Sequence, residues 1–164
     1  MTVPRRVSAA AALAAAVLTV LGCTSPFSDS TPQERSSQVS DDTVRSDPES
    51  LMKYFPLIGQ PASVSWIGWD NSSGAPGPTI YWVDAVVELE PATAAELRSR
   101  YAPAEPTAAP TLKDGLQQAV PAGTYLTGAE FDAALGGSTE WDGSARGYLH
   151  PDRPLLIFQA SAGG

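Results

Sequence analysis

The stretch Thr79 to Glu90, "TIYWVDAVVELE", constrains the fold more than any other part of this chain. Successive side chains of a strand point to opposite faces. Tyr81, Val83, Ala85, Val87 and Leu89 therefore share one face, and Ile80, Trp82, Asp84, Val86 and Glu88 share the other. The first face is apolar or aromatic throughout, which predicts burial against a core. Upstream, Ala62 to Trp69, "ASVSWIGW", alternates as a second strand, and "DNSSGAPGP", Asp70 to Pro78, is the turn or loop between them.

Two further strands close the chain. Ser144 to Leu149 and Leu155 to Ser161 flank the turn "HPDRP". Leu155, Leu156, Ile157 and Phe158 are apolar on both faces, which predicts a strand inside the sheet. Between the strand pairs lie three helix signals. Thr93, Thr111 and Thr127 are each followed three residues later by an acid (Glu96, Asp114 and Glu130), the spacing of a reciprocal cap. The expected helices are residues 94–101, 112–120 and 128–135, with Gly136 stopping the last. A short helix also starts at Asp47 and Pro48, with Leu51, Met52 and Phe55 on one face. "APAEPTAAP", Ala102 to Pro110, reads as an ordered surface connection.

Strand pairs around a helical middle predict an α+β fold, a small single domain with a mainly antiparallel sheet and three to four short helices. The 164 residues suit one domain rather than two. That domain is expected over residues 47–164.

The N-terminus carries different information. Arg5 and Arg6 precede an apolar run from Val7 to Leu21, which is too short for the roughly 20 residues of a spanning helix. A charged start, an apolar centre and small residues before a cut describe an export signal over residues 1–22. Val20-Leu21-Gly22-Cys23 resembles the lipobox of bacterial lipoproteins. The resemblance implies that the Cys23 thiol takes a diacylglyceryl group and becomes the mature N-terminus, an anchor strengthened by about 0.8 kcal/mol per buried methylene. Cys23 is the only cysteine, so no disulfide can form within the chain. Arg5-Arg6 leaves export by the general or the twin-arginine route open.

Residues 24–46, "TSPFSDSTPQERSSQVSDDTVRS", are too polar to offset their ordering entropy. Together with the lipidated Cys23 they read as a flexible tether with a typical span of about 25–30 Å. The lipobox and the Ala/Pro/Gly-rich composition together resemble uncharacterised lipoproteins of high-GC Gram-positive bacteria. That resemblance brings no catalytic residues to 47–164.

Charge excludes one class of partner. Removing Arg5 and Arg6 with the signal leaves eight basic and eighteen acidic residues. A surface of that sign repels phosphate backbones, so nucleic acid is not expected.

Chemical motifs are sparse. His150, the only histidine, sits in the "HPDRP" turn beside Asp152, and no serine lies in a G-x-S-x-G turn. One histidine and a lipidated cysteine do not make a zinc site. Asp70, Asn71 and Ser72 bring oxygen ligands together beside Gly74, without the following glutamate of a calcium loop. Glu140 and Asp142 flank Trp141, a pattern that could serve sugar chemistry but is common near turns. No phosphate-binding glycine motif is present. No catalytic residue, metal site or cofactor is therefore assigned.

The remaining constellation is aromatic. Trp66, Trp69 and Trp82, with the acid Asp84, lie on two strands expected to form a hairpin. Either a helix covers that face and buries Trp82, as is usual for tryptophan, or Trp66, Trp69, Trp82 and Asp84 form a binding surface. On the second branch the chain is a non-enzymatic accessory, held by lipid at the extracytoplasmic face of the cell membrane, that binds an envelope or secreted protein. The alternatives are a binding module for a small ligand such as a sugar or peptide, or a hydrolase using acids such as Asp84, Glu140 or Asp142. The anchor has a direct check: Cys23→Ala should move the protein from the membrane to the soluble fraction on cell fractionation.

Overall fold

A computed structural model describes residues 43–72 and 77–163. The segment read as an export signal, Cys23 and nearly all of the stretch read as tether lie outside them. The described elements run α1 (Pro48–Tyr54), a 3-10 turn (Pro56–Ile58), β1 (Ser63–Asp70), β2 (Tyr81–Glu88), α2 (Pro91–Tyr101), β3 (Glu105–Ala108), α3 (Asp114–Gln117), β4 (Thr124–Thr127), α4 (Ala129–Gly136), β5 (Gly143–Leu149) and β6 (Leu155–Ala162). The strands form one six-stranded antiparallel sheet in the order β1-β2-β6-β5-β4-β3. This is the expected α+β architecture, and β6 lies inside the sheet between β2 and β5.

Both faces of the sheet are packed, unequally. On the first face Val64, Trp66, Val83, Ala85, Val87, Leu156, Phe158 and Ala160 meet α1, α2 and α4 through Leu51, Phe55, Leu97, Phe131 and Leu135. Phe55, Phe131 and Phe158 are fully buried, and each contributes roughly 1.5–3 kcal/mol by leaving water. Phe55 bridges the layers, with its ring 4.6 Å from Phe158 and 4.9 Å from Trp141. On the second face the cover is a single short segment around α3. Leu112 and Leu116 pack there on Ile67, Val86, Tyr125, Tyr148, Leu155 and Ile157.

Contacts with the sheet are already made two residues before Asp47. Arg45 pairs with Trp66 at the open edge of β1 by two backbone hydrogen bonds of 2.8 and 2.9 Å. Its guanidinium lies 3.9 Å from the centroid of the Trp66 ring and 3.1 Å from Asp47 Oδ1. Asp47 occupies the N-cap position of α1 with Pro48 behind it, but its carboxylate turns to Arg45 instead of capping.

The three reciprocal caps do not form. α2 starts after Glu90, because Pro91 has no N–H to lose and a preset φ, and Thr93 falls inside its first turn. Thr127 is claimed by β4, where it pairs with Glu105 and its Oγ1 donates to the Glu105 carbonyl. The α3 helix spans four residues, not nine, since Leu112 and Lys113 are held extended against the sheet. Tyr81, expected in the core, is half exposed at the end of β2, and the connection 102–110 contains the edge strand β3. Pro106 is tolerated there because an edge strand leaves one row of backbone groups unpaired.

Close packing of α4 on β5 requires Gly147. A methyl group there would run into the Phe131 ring and touch Leu135. Gly147→Ala is expected to lower the unfolding free energy by about 1–3 kcal/mol, as overpacking does, measured by urea denaturation.

Candidate functional site

Strand register assembles the site. Trp69 pairs with Trp82, Trp82 with Ser161, and Ser161 with Ser144. One rung away, Ile67 pairs with Asp84, Asp84 with Gln159, and Gln159 with Arg146. Residues directly opposite one another share a face, so these two rungs project from the second face across four adjacent strands. The segment Thr111–Lys113 rises along one side. Together they line a shallow, open groove of about 480 Å³.

The indoles of Trp69 and Trp82 lie nearly parallel, 17° apart, with centroids 6.0 Å apart. Both are half-buried. Lys113 Nζ sits 4.8 Å from the Trp69 ring centroid, where the negative face of the ring attracts a cation. At the other end Arg146 is exposed, its guanidinium 5.6 Å from the Tyr148 ring.

Asp84 is 3% exposed and acts as the buttress of the groove. Its Oδ2 accepts from the Lys113 backbone N–H at 2.8 Å, and its Oδ1 from Gln159 Nε2 at 3.1 Å. Gln159 Nε2 also donates to the Thr111 carbonyl at 3.1 Å. Both amide hydrogens of Gln159 are thereby used, which fixes its orientation and leaves Oε1 as its acceptor. Asp84 thus ties the wall, Thr111–Lys113, to the floor. Beyond Gln159 the hydroxyls of Ser144 and Ser161 are 3.3 Å apart.

The four residues read from sequence as one surface do not stay together. Trp69, Trp82 and Asp84 share the groove, with Asp84 buried beneath it. Trp66, three positions from Trp69, points through the opposite face. It is 5% exposed, packs in the larger core, and donates from Nε1 to the Asp47 carbonyl at 3.1 Å. Trp82 is half-buried, stacked beside Trp69, and lines the groove together with Thr111–Lys113.

The acidic candidates also separate. Glu140 and Asp142 are exposed around Trp141, which packs against Phe55 on the first face, whereas Asp84 belongs to the second. Glu140 approaches Lys53 at 3.9 Å. Asp70 Oδ1 accepts from the Ser72 amide at 2.8 Å and from the Ser72 hydroxyl, which holds its carboxyl below the ordinary range. Asn71 closes the same turn, its Oδ1 accepting from Ile80 N at 2.8 Å. Gly74 lies outside the described residues. No group of three or more metal-ligating side chains occurs among the described residues.

His150 serves its turn. Nδ1 accepts from the amides of Asp152 and Arg153, both at 3.1 Å, and the ring meets the Tyr125 ring edge-on at 5.5 Å. Arg98 braces the same turn by donating to the His150 and Arg153 carbonyls.

Sequence reasoning missed Lys113, Gln159, Arg146, Ser144 and Ser161. One signal for two of them was present: in "LLIFQAS" the polar positions Gln159 and Ser161 have the parity of Leu155 and Ile157. Polar side chains at alternate positions of an interior strand mark where the cover over that face ends.

No protein-family model matches the chain, and neither a curated protein nor a solved structure matches it. The buttress can be tested directly. Asp84→Ala removes the acceptor of two part-buried N–H donors, the Lys113 amide and Gln159 Nε2, so it should lower the unfolding free energy by about 1–3 kcal/mol. Asp84→Asn, which keeps one acceptor oxygen, should cost less in the same denaturation experiment.

Proposed function

We propose that this chain is a non-enzymatic accessory lipoprotein, anchored through Cys23 at the extracytoplasmic face of the cell membrane, that docks an envelope or secreted protein in the Trp69–Trp82 groove. The observation that carries this reading is the form of the groove. Two half-buried, stacked indoles stand beside a polar floor whose orientation is already set by hydrogen bonds. Such a surface gives a partner aromatic area at low ordering cost. The groove is open and shallow, whereas small-ligand sites enclose most of the ligand.

A sugar-binding reading draws on the same indole faces and on the Ser144 and Ser161 hydroxyls. The openness of the groove places it second. Hydrolysis has less support, because Asp84 is the only carboxylate among the groove residues and both its oxygens already accept hydrogen bonds.

Photo-crosslinking in cells tests the docking reading. A photo-reactive amino acid placed at exposed Ser144, with a control probe in residues 24–42, should give a protein adduct specific to the groove position. Adducts equal at both positions, or none at Ser144, would overturn it.

A further inference from the structure

We infer, resting on the docking reading above, that the groove takes an extended acidic segment of its protein partner, with an apolar side chain such as proline on the indoles and a carboxylate at Arg146. Charge supports this choice. From Thr43 to Gly163 the chain has seven Lys or Arg and fourteen Asp or Glu. Along the groove the balance inverts, with Lys113 and Arg146 against Asp84. Asp84 is buried and both its oxygens accept hydrogen bonds within the fold, so it is not itself a contact for an incoming chain. Arg146 is exposed and makes no salt bridge among the described residues. A local cationic spot favours an acidic surface on the partner.

Geometry sets the spacing within that segment. Trp82 and Arg146 are two strands apart and one rung apart along the strands, a separation of about 12 Å between backbones. An extended chain advances about 3.3 Å per residue, so the apolar residue and the carboxylate fall three to four positions apart. The residues between them cross Gln159 and Ser161. There Gln159 Oε1 can accept a backbone N–H and the Ser161 hydroxyl can serve a carbonyl.

The test uses the full lipidated chain in phosphatidylcholine vesicles and fluorescent peptides with three Pro-x-x-Glu units, where x is Gly or Ser. Control peptides carry Gln or Lys in place of Glu, and binding is read by anisotropy. At low salt the Glu peptide should bind about fivefold more tightly than the Gln peptide, the size of one exposed ion pair. High salt and Arg146→Gln should each erase that preference. Arg146 is exposed, so this variant should keep the parent circular dichroism spectrum and unfolding midpoint.

Equal binding of all three peptides, tighter binding of the Lys peptide, or a Glu preference that survives Arg146→Gln would overturn the inference. Saturable binding of a uronic-acid oligosaccharide, with none of the peptides bound, would overturn it in favour of a saccharide. If no peptide binds while the Ser144 adduct persists, the acidic segment fails and docking stands. Loss of the adduct as well removes both.

Discussion

The pairing of β2 with β6 is the constraint on which the rest of the molecule depends. It runs over eight residue pairs, from Tyr81–Ala162 to Glu88–Leu155. Val83, Ala85, Val87, Leu156 and Phe158 need cover on one face, and Val86, Leu155 and Ile157 need it on the other. A sheet with two apolar faces cannot be stable with one layer of helices. The chain resolves this unequally. Three helices close the first face, and the short α3 with the extended residues before it closes part of the second.

The groove is what that unequal cover leaves open. Where the α3 segment ends, the outward positions of the strands change from apolar to polar or aromatic. Leu155 and Ile157 give way to Gln159 and Ser161, and Tyr148 to Arg146 and Ser144. The same hydrogen bonds that seat the segment shape the groove. Asp84 reaches the Lys113 amide and the Gln159 amide, so burying one carboxylate positions both the wall and the floor.

Bracing elsewhere keeps the sheet ends in place. Arg45 docks the incoming chain on the open edge of β1, with its guanidinium on Trp66 and Asp47. At the far end Arg98 and His150 organise the turn between β5 and β6. The only histidine and one of the four tryptophans, both conspicuous in the sequence, are thereby engaged in structural contacts.

What the sequence by itself determined is periodic and local. Alternation identified β1 and β2, the turn "HPDRP" marked β5 and β6 on either side of it, and parity assigned most of β2 to its faces. The doubly apolar run Leu155–Phe158 located an interior strand, and Pro48 marked the start of a helix. Parity also carries the separation of Trp66 from Trp69, since residues three apart in a strand face opposite ways. Only the tertiary structure decided the rest. β3 and β4 are four-residue strands with little alternation of their own, and pairing makes them strands. Thr127 became a sheet residue, and Leu112–Lys113 stayed extended, because long-range hydrogen bonds outweighed the local signal for a cap. The groove gathers Trp69, Asp84, Lys113, Arg146 and Gln159 from across the chain. A local pattern sets the face on which a side chain lies, but strand order and register set which side chains meet there.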